Sequence, residues 1–329
     1  MNLTNTNKLL AATLCLATSY SYADSERPLF SLTVSESGVQ QTNNDGSLSQ
    51  STKSGSRILP IWGDAARAKG YDLPEPFGAS YGYMNLRQDI VVDQIGFIMP
   101  NNPDTPGSTE IKVGKTRERT ESHILKLDTW VLPFLNVYGV YGKTKGSSQS
   151  DVESVKFGGL PMPILGNTPF ALDFKGKTYG GGITLAGGYN QFFATLDTNY
   201  TQTNLDILDG GIKALVITPR IGYEFTFQPL FAGQGNTKVQ VWTGAMYQDI
   251  TQHFKGKVAN LNMTGALGAI VGAVLENDPE MSFDVKQHLA HKWNNTVGAR
   301  FEITRNFNIL SEVGFGNRNS FFISGEFRF

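Results

Sequence analysis

Between residues 213 and 227 apolar and polar side chains alternate: Leu215, Ile217, Ile221, Tyr223, Phe225 and Phe227 share one parity, Thr218, Arg220, Glu224 and Thr226 the other. An extended chain turns successive side chains to opposite faces, so this segment is a strand with one apolar and one polar face. In 192–203, Phe192, Ala194, Leu196 and Tyr200 oppose Thr195, Asp197, Asn199, Thr201 and Thr203; in 293–304, Trp293, Val297, Ala299, Phe301 and Ile303 oppose Asn294, Thr296, Arg300, Glu302 and Thr304. A β-sandwich also alternates. Strands of soluble sheets, however, run only about five or six residues, well short of these.

A mean hydropathy of −0.22 looks like that of a soluble protein, but an average conceals alternation. Only 17% of the 329 residues are charged, with 28 Lys and Arg against 29 Asp and Glu. That balance excludes a basic nucleic-acid binder, an acidic disordered chain and a coiled coil. An α-helix needs about 20 apolar residues to cross a bilayer. Beyond residue 23 the longest candidate, GALGAIVGAVL at 265–275, is too short. If the chain sits in lipid, it does so as a closed sheet, the other arrangement that pairs every backbone N–H and C=O there.

Residues 1–23 read as a signal peptide: Lys8 precedes the apolar run LLAATLCLA, and Ser21-Tyr22-Ala23 places small residues where a signal peptidase reads them. The mature chain then begins at Asp24 and loses Cys15, the only cysteine, so neither a disulfide nor a thiolate metal site is expected. Residues 24–76 form an N-terminal segment in which the polar run GVQQTNNDGSLSQSTKSGS reads as a flexible tether. After it, Asp64 is placed to cap a short helix that ends at Gly70, bracketed by Pro60, Pro74 and Pro76. Such a helix needs a larger partner. Trp62, Asp64, Arg67 and Tyr71 are therefore plug candidates for the lumen or periplasmic mouth of a barrel spanning 77–329.

Strands are expected near 77–93, 116–132, 135–146, 173–187, 191–204, 213–227, 237–252, 291–304, 308–316 and 319–329, an even count of ten, with eight or twelve as alternatives. Long and tight connections largely alternate, as they do between the extracellular loops and periplasmic turns of membrane barrels. The fold class is therefore all-β: a transmembrane antiparallel β-barrel with an N-terminal extension carrying a short helix.

The chain ends FFISGEFRF, with Phe321, Ile323, Phe327 and Phe329 on one parity. This resembles the C-terminal signature of Gram-negative outer-membrane proteins, which implies an outer-membrane location and recognition by the barrel-assembly machinery. Residues 59–78 and 128–146 are similar to stretches of proteobacterial outer-membrane proteins of unassigned activity. Outer-membrane lipid is the other partner this placement implies. Trp130, Tyr138, Tyr141 and Tyr179 suit aromatic girdles, or alternatively the lumen.

The inward charged set expected from parity is Arg87, Asp89, Lys126, Asp128, Asp197, Arg220, Glu224, Arg300, Glu302, Glu312, Glu326 and Arg328. These charges either pair with one another or line a path for polar solutes. About ten strands give a bore near the size side chains can fill, which disfavours a wide porin. The expected function is a narrow or gated channel for passive uptake of a small molecule. One alternative is a surface interaction or virulence-associated barrel acting through loop 253–290, whose apolar part reads as a helix stopped at Asn277-Asp278-Pro279 and folded over the mouth, laid on the outer leaflet or binding a hydrophobic ligand. The other is a rim hydrolase using His253, His288 and His291 with Asp249, Asp284 or Ser282, although no HEXXH or GXSXG motif is present. His123 falls on the outward parity. The glycines at 180–182 and 187–188 match no phosphate-binding spacing and fit a bend or the approach of the N-terminal helix. No cofactor, metal or nucleic acid is expected.

Overall fold

The computed structural model describes residues 58–68, 73–100, 110–157, 160–161, 168–189, 191–209, 211–227, 237–250, 253–261, 265–304 and 306–329. The expected signal peptide, the polar tether and Tyr71 lie outside these residues, as does the side chain of Arg67.

Ten strands close into an antiparallel barrel: β1 (Phe77–Ile98), β2 (Glu110–Leu132), β3 (Leu135–Phe157), β5 (Thr168–Tyr189), β6 (Phe192–Leu205), β7 (Gly211–Phe227), β8 (Thr237–Ile250), β11 (Trp293–Thr304), β12 (Phe307–Phe315) and β13 (Arg318–Arg328). The seam is made by β1 and β13, paired from Gly78↔Arg328 to Gln88↔Arg318. Three further strands lie outside the ring: β4 (Leu160–Pro161) on β3, and the hairpin β9 (His253–Lys257) with β10 (Ser282–Leu289).

The outer face carries the expected apolar band. At the short-turn end Phe77, Phe134, Phe192, Phe227, Phe307, Phe327 and Phe329 are exposed; at the long-loop end Tyr81, Tyr141, Tyr179, Tyr200 and Trp293 are. In water, so continuous an apolar belt would aggregate. In a bilayer it is the lipid face, with an aromatic girdle at each interface.

The parity pattern under-reads four strands. β1, β2, β3 and β5 run 22, 23, 23 and 22 residues, about twice the 9–11 a tilted strand needs to cross a bilayer, so they continue beyond the membrane at the long-loop end. There β10 takes over from β13 as the neighbour of β1, pairing Ile90↔Leu289 through Ile98↔Ser282. A register shift between Val92 and Gln94 reverses the parity of β1. Phe97 is thereby buried, where the unshifted pattern would have turned it outward.

Candidate functional site in the barrel lumen

The inward side chains enclose a cavity of about 510 Å³. Its floor, at the short-turn end, is a buried charge network. Arg328 donates to Asp128 at 3.0 Å, to Glu326 at 2.5 Å and twice to the Glu75 carbonyl at 3.1 Å. Arg300 lies 3.5 Å from Glu326, Lys126 lies 3.9 Å from Asp128, and the Asn136 amide donates to Asp128 at 2.6 Å. Arg328 and Arg300 are only 2% and 4% exposed, so the lumen is filled at this level. Each charge is compensated by opposite charge and oriented donors, the condition under which buried ions are tolerated.

Midway up, Arg220 grips Glu312 through Nε at 2.6 Å and Nη2 at 2.9 Å, and the Trp242 indole donates to the same carboxylate at 2.7 Å. The Tyr138 hydroxyl donates to Asp197 at 2.9 Å, as does Thr184 at 2.8 Å. Tyr138 has room because it lies over Gly182, where a Cβ would stand 2.6 Å from its ring. Gly182 therefore makes room for a side chain of the barrel wall, a close approach distinct from the two expected readings, a bend or the approach of the N-terminal helix.

Above this level the cavity has two unlike walls. On β2, β3, β5 and β6 the hydroxyls of Ser122, Thr144, Thr178 and Thr203 form one chain with links of 2.9, 3.1 and 2.8 Å. Across the lumen, Val216, Ile250, Met246 and Phe322 make an apolar wall. The roof is formed by Phe174, Leu205 and Ile207, with Leu208, Ile212 and Leu261 packed against them. Leu208 and Leu261 also join a second cluster of Phe97, Val152, Val258, Val271, Met281 and Phe283. Val271 belongs to the helix Gly265–Asn277, the apolar segment of the loop; Val274 and Leu275 of the same turn pack with it. The helix packs Val271, Val274 and Leu275 on this second cluster and ends at the expected Asn277.

Lys126, Asp128, Asp197, Arg220, Arg300, Glu312, Glu326 and Arg328 all line the cavity. Glu302 is buried beside the floor, and Glu224 pairs with Lys238 at 3.3 Å and accepts from Gln240 at 2.7 Å. Arg87 and Asp89 are corrections. They lie on the outer face, where Arg87 is exposed and Asp89 pairs with Lys115 and Arg117; the lumen position between them is Gln88. Beyond the girdle the exterior is aqueous and the interior meets the apolar roof, so polarity there marks the outside. The lumen charge missed by parity is Glu118, which accepts from Gln88 at 2.7 Å. Also missed is Arg318, whose hydrogen-bond acceptors among the described residues are Gln248 and backbone carbonyls.

Asp64, in the helix Gly63–Ala68, is exposed, and Trp62, in the turn before it, is 66% exposed; that turn touches the barrel rim through the Ile61 N–H to the Val131 carbonyl at 2.8 Å. The described part of this segment is therefore at the mouth, and neither Trp62 nor Asp64 lines the cavity. Trp130 and Tyr138 are lumen residues, whereas Tyr141 and Tyr179 belong to the girdle. His123 faces outward, with its Nδ1 2.9 Å from the Tyr81 hydroxyl. At the rim, His288 meets Asp93 at 2.9 Å, while Lys292 occupies Asp249 and Lys255 occupies Asp284. Asp249 holds the Lys292 ammonium above its ordinary pKa range by accepting its hydrogen bond and by its charge. Among the described residues no group of three or more His, Cys, Asp or Glu comes together.

A closed barrel with a lipid-facing apolar band and an aromatic girdle at each end of it defines an outer-membrane β-barrel protein. No family profile and no curated protein matches the sequence. Among solved structures the chain is similar to the transport unit of the autotransporter AIDA-I from Escherichia coli, with 10% identity, 77% of this chain and 90% of that one covered, and a TM-score of 0.36. It is also similar to the translocator domain of the autotransporter NalP from Neisseria meningitidis, with 9% identity, 80% and 92% covered, and a TM-score of 0.34. The CymD monoaromatic hydrocarbon channel matches at 10% identity, with 78% and 89% covered and a TM-score of 0.26.

Proposed function

We propose that the protein is a gated passive channel for a small, uncharged, amphipathic molecule. The observation that carries this reading is the lumen cavity of about 510 Å³ above an ionic floor and beside an apolar cluster, a size within the range of small-molecule sites. Hydroxyls line one of its walls and aliphatic and aromatic side chains the other. Most lumen charges are matched within the protein, which leaves little net field to attract an ion. The apolar cluster of Phe174, Leu205 and Ile207, joined through Leu208 and Leu261 to the cluster that holds Val271, acts as the outer gate.

The solute class is tested by titrating the folded protein with butyl glucoside and following the fluorescence of Trp242, which lines the cavity. Saturable binding is expected, weakened at least fivefold in Thr144→Val/Thr178→Val and weaker for butyrate, because Arg318, the lumen cation without an acidic partner among the described residues, already donates to Gln248 and backbone carbonyls. Absence of saturable binding, or equal binding of the anion, contradicts the reading.

A further inference from the structure

On β3 and β5 the outward side chains change character in steps toward the long-loop end. Val137 faces Ile183, Tyr141 faces Tyr179, then Lys143 faces Lys177 and Lys145 faces Lys175. On β1 and β2 the same climb ends with Arg87 directly opposite Arg119. All six cations are exposed.

Like charges directly opposite one another across a strand pair are destabilising, and here three such pairs share one sector of one face. Nearby acids compensate only part of the charge. Glu121 pairs with Lys145 at 2.9 Å, and Asp206 accepts the backbone N–H of Lys175 at 2.9 Å. Arg87, Arg119, Lys143 and Lys177 have no ion-pair partner among the described residues. A groove of about 600 Å³ lies beside Arg87, Arg119, Lys145 and Lys175, one step above Lys143 and Lys177, with Asp173 as its remaining acid. On the far side of the barrel, around β8 and β11, the outer face carries Asn295 and the neutralised pair Lys292–Asp249.

We infer that the β1–β2–β3–β5 sector is a binding site for a phosphate-bearing glycolipid of the outer leaflet. The vertical order fits that molecule and not a free anion: acyl chains lie along Val137 and Ile183, the carbohydrate meets Tyr141 and Tyr179, and the phosphates reach the opposed cations. Two adjacent like-charged pairs bridged by one multivalent phosphate exchange repulsion for charge-assisted hydrogen bonds. Arg87 and Arg119 present planar forks suited to phosphate oxygens.

The test uses the folded protein in a neutral detergent and native mass spectrometry, with bis-phosphorylated lipid A as the probe. Retention of one or more lipid molecules is expected, falling at least tenfold for the enzymatically dephosphorylated lipid and in Arg87→Gln/Arg119→Gln/Lys143→Gln/Lys177→Gln. Lys292→Gln, on the far side, should bind as the parent does. Cold-gel mobility verifies folding of each variant, and the two-lipid comparison on the parent protein stands whatever the variants do. Equal retention of both lipids, or undiminished binding by the folded quadruple variant, overturns the inference. Displacement of lipid A by equimolar inorganic phosphate overturns it too, by making this a free-phosphate site.

Discussion

Arg328, the penultimate residue, reaches across Gly78 to ion-pair with Asp128 at 3.0 Å, so β13 is tied to β2 over the intervening β1. The tie exists because Gly78 has no side chain: a Cβ there would stand 2.5 Å from Asp128 Oδ1 and 2.8 Å from Arg328 Nη1. The barrel seam is thus held from inside as well as by its backbone ladder. Asp128→Asn leaves Glu326 as the carboxylate facing Arg328 and Arg300, with Lys126 losing its own partner, and is expected to lower stability by about 3 kcal/mol, the scale for losing one partner of a buried pair. Urea unfolding of the folded barrel in detergent measures this, and an unchanged midpoint contradicts the role.

Gly298 plays the same part for Trp242, whose indole a Cβ would strike. Gly298→Ala is expected to push Trp242 away from Glu312 and cost about 1–3 kcal/mol through overpacking. The accompanying sign is a shift in tryptophan emission, which Glu312→Gln should reproduce without a steric clash. No spectral change in either variant would remove Trp242 from the lumen network.

Most of the barrel was legible because each strand meets lipid on one face and the lumen on the other, a contrast that writes a period of two into the sequence. Hence ten strands and eight cavity-lining charges, Lys126 and Arg328 among them, follow from parity alone. Arg87 and Asp89 were misread because the rule presumes lipid outside, and at their height on β1 the outside is water. Phe97 was hidden by the register shift after Val92, which parity cannot anticipate. The glycine vacancies under Tyr138, Trp242 and Arg328 depend on which strand lies alongside, a relation between residues distant in sequence that no local pattern records.

Phe321, Ile323 and Phe327 on the outer face of β13, and Phe329 just after it, are 42%, 39%, 50% and 58% exposed, and we propose that an assembly factor reads them before the seam closes. Deleting Phe329 is expected to cut the yield of folded protein in the outer membrane several-fold while leaving refolding in detergent intact. Equal membrane yields would separate this strand from assembly recognition.

On the proposed function, the lumen is a path shut at two levels. This is tested most directly by single-channel conductance in planar bilayers, comparing the parent, a roof variant with residues 262–280 replaced by a short Gly-Ser linker, a floor variant Arg300→Ala/Glu326→Ala, and both changes combined. The account predicts at most rare, brief openings in the parent and in either single variant, and sustained conductance when roof and floor are removed together. A combined variant that folds yet stays silent, or a parent that conducts steadily, would contradict it.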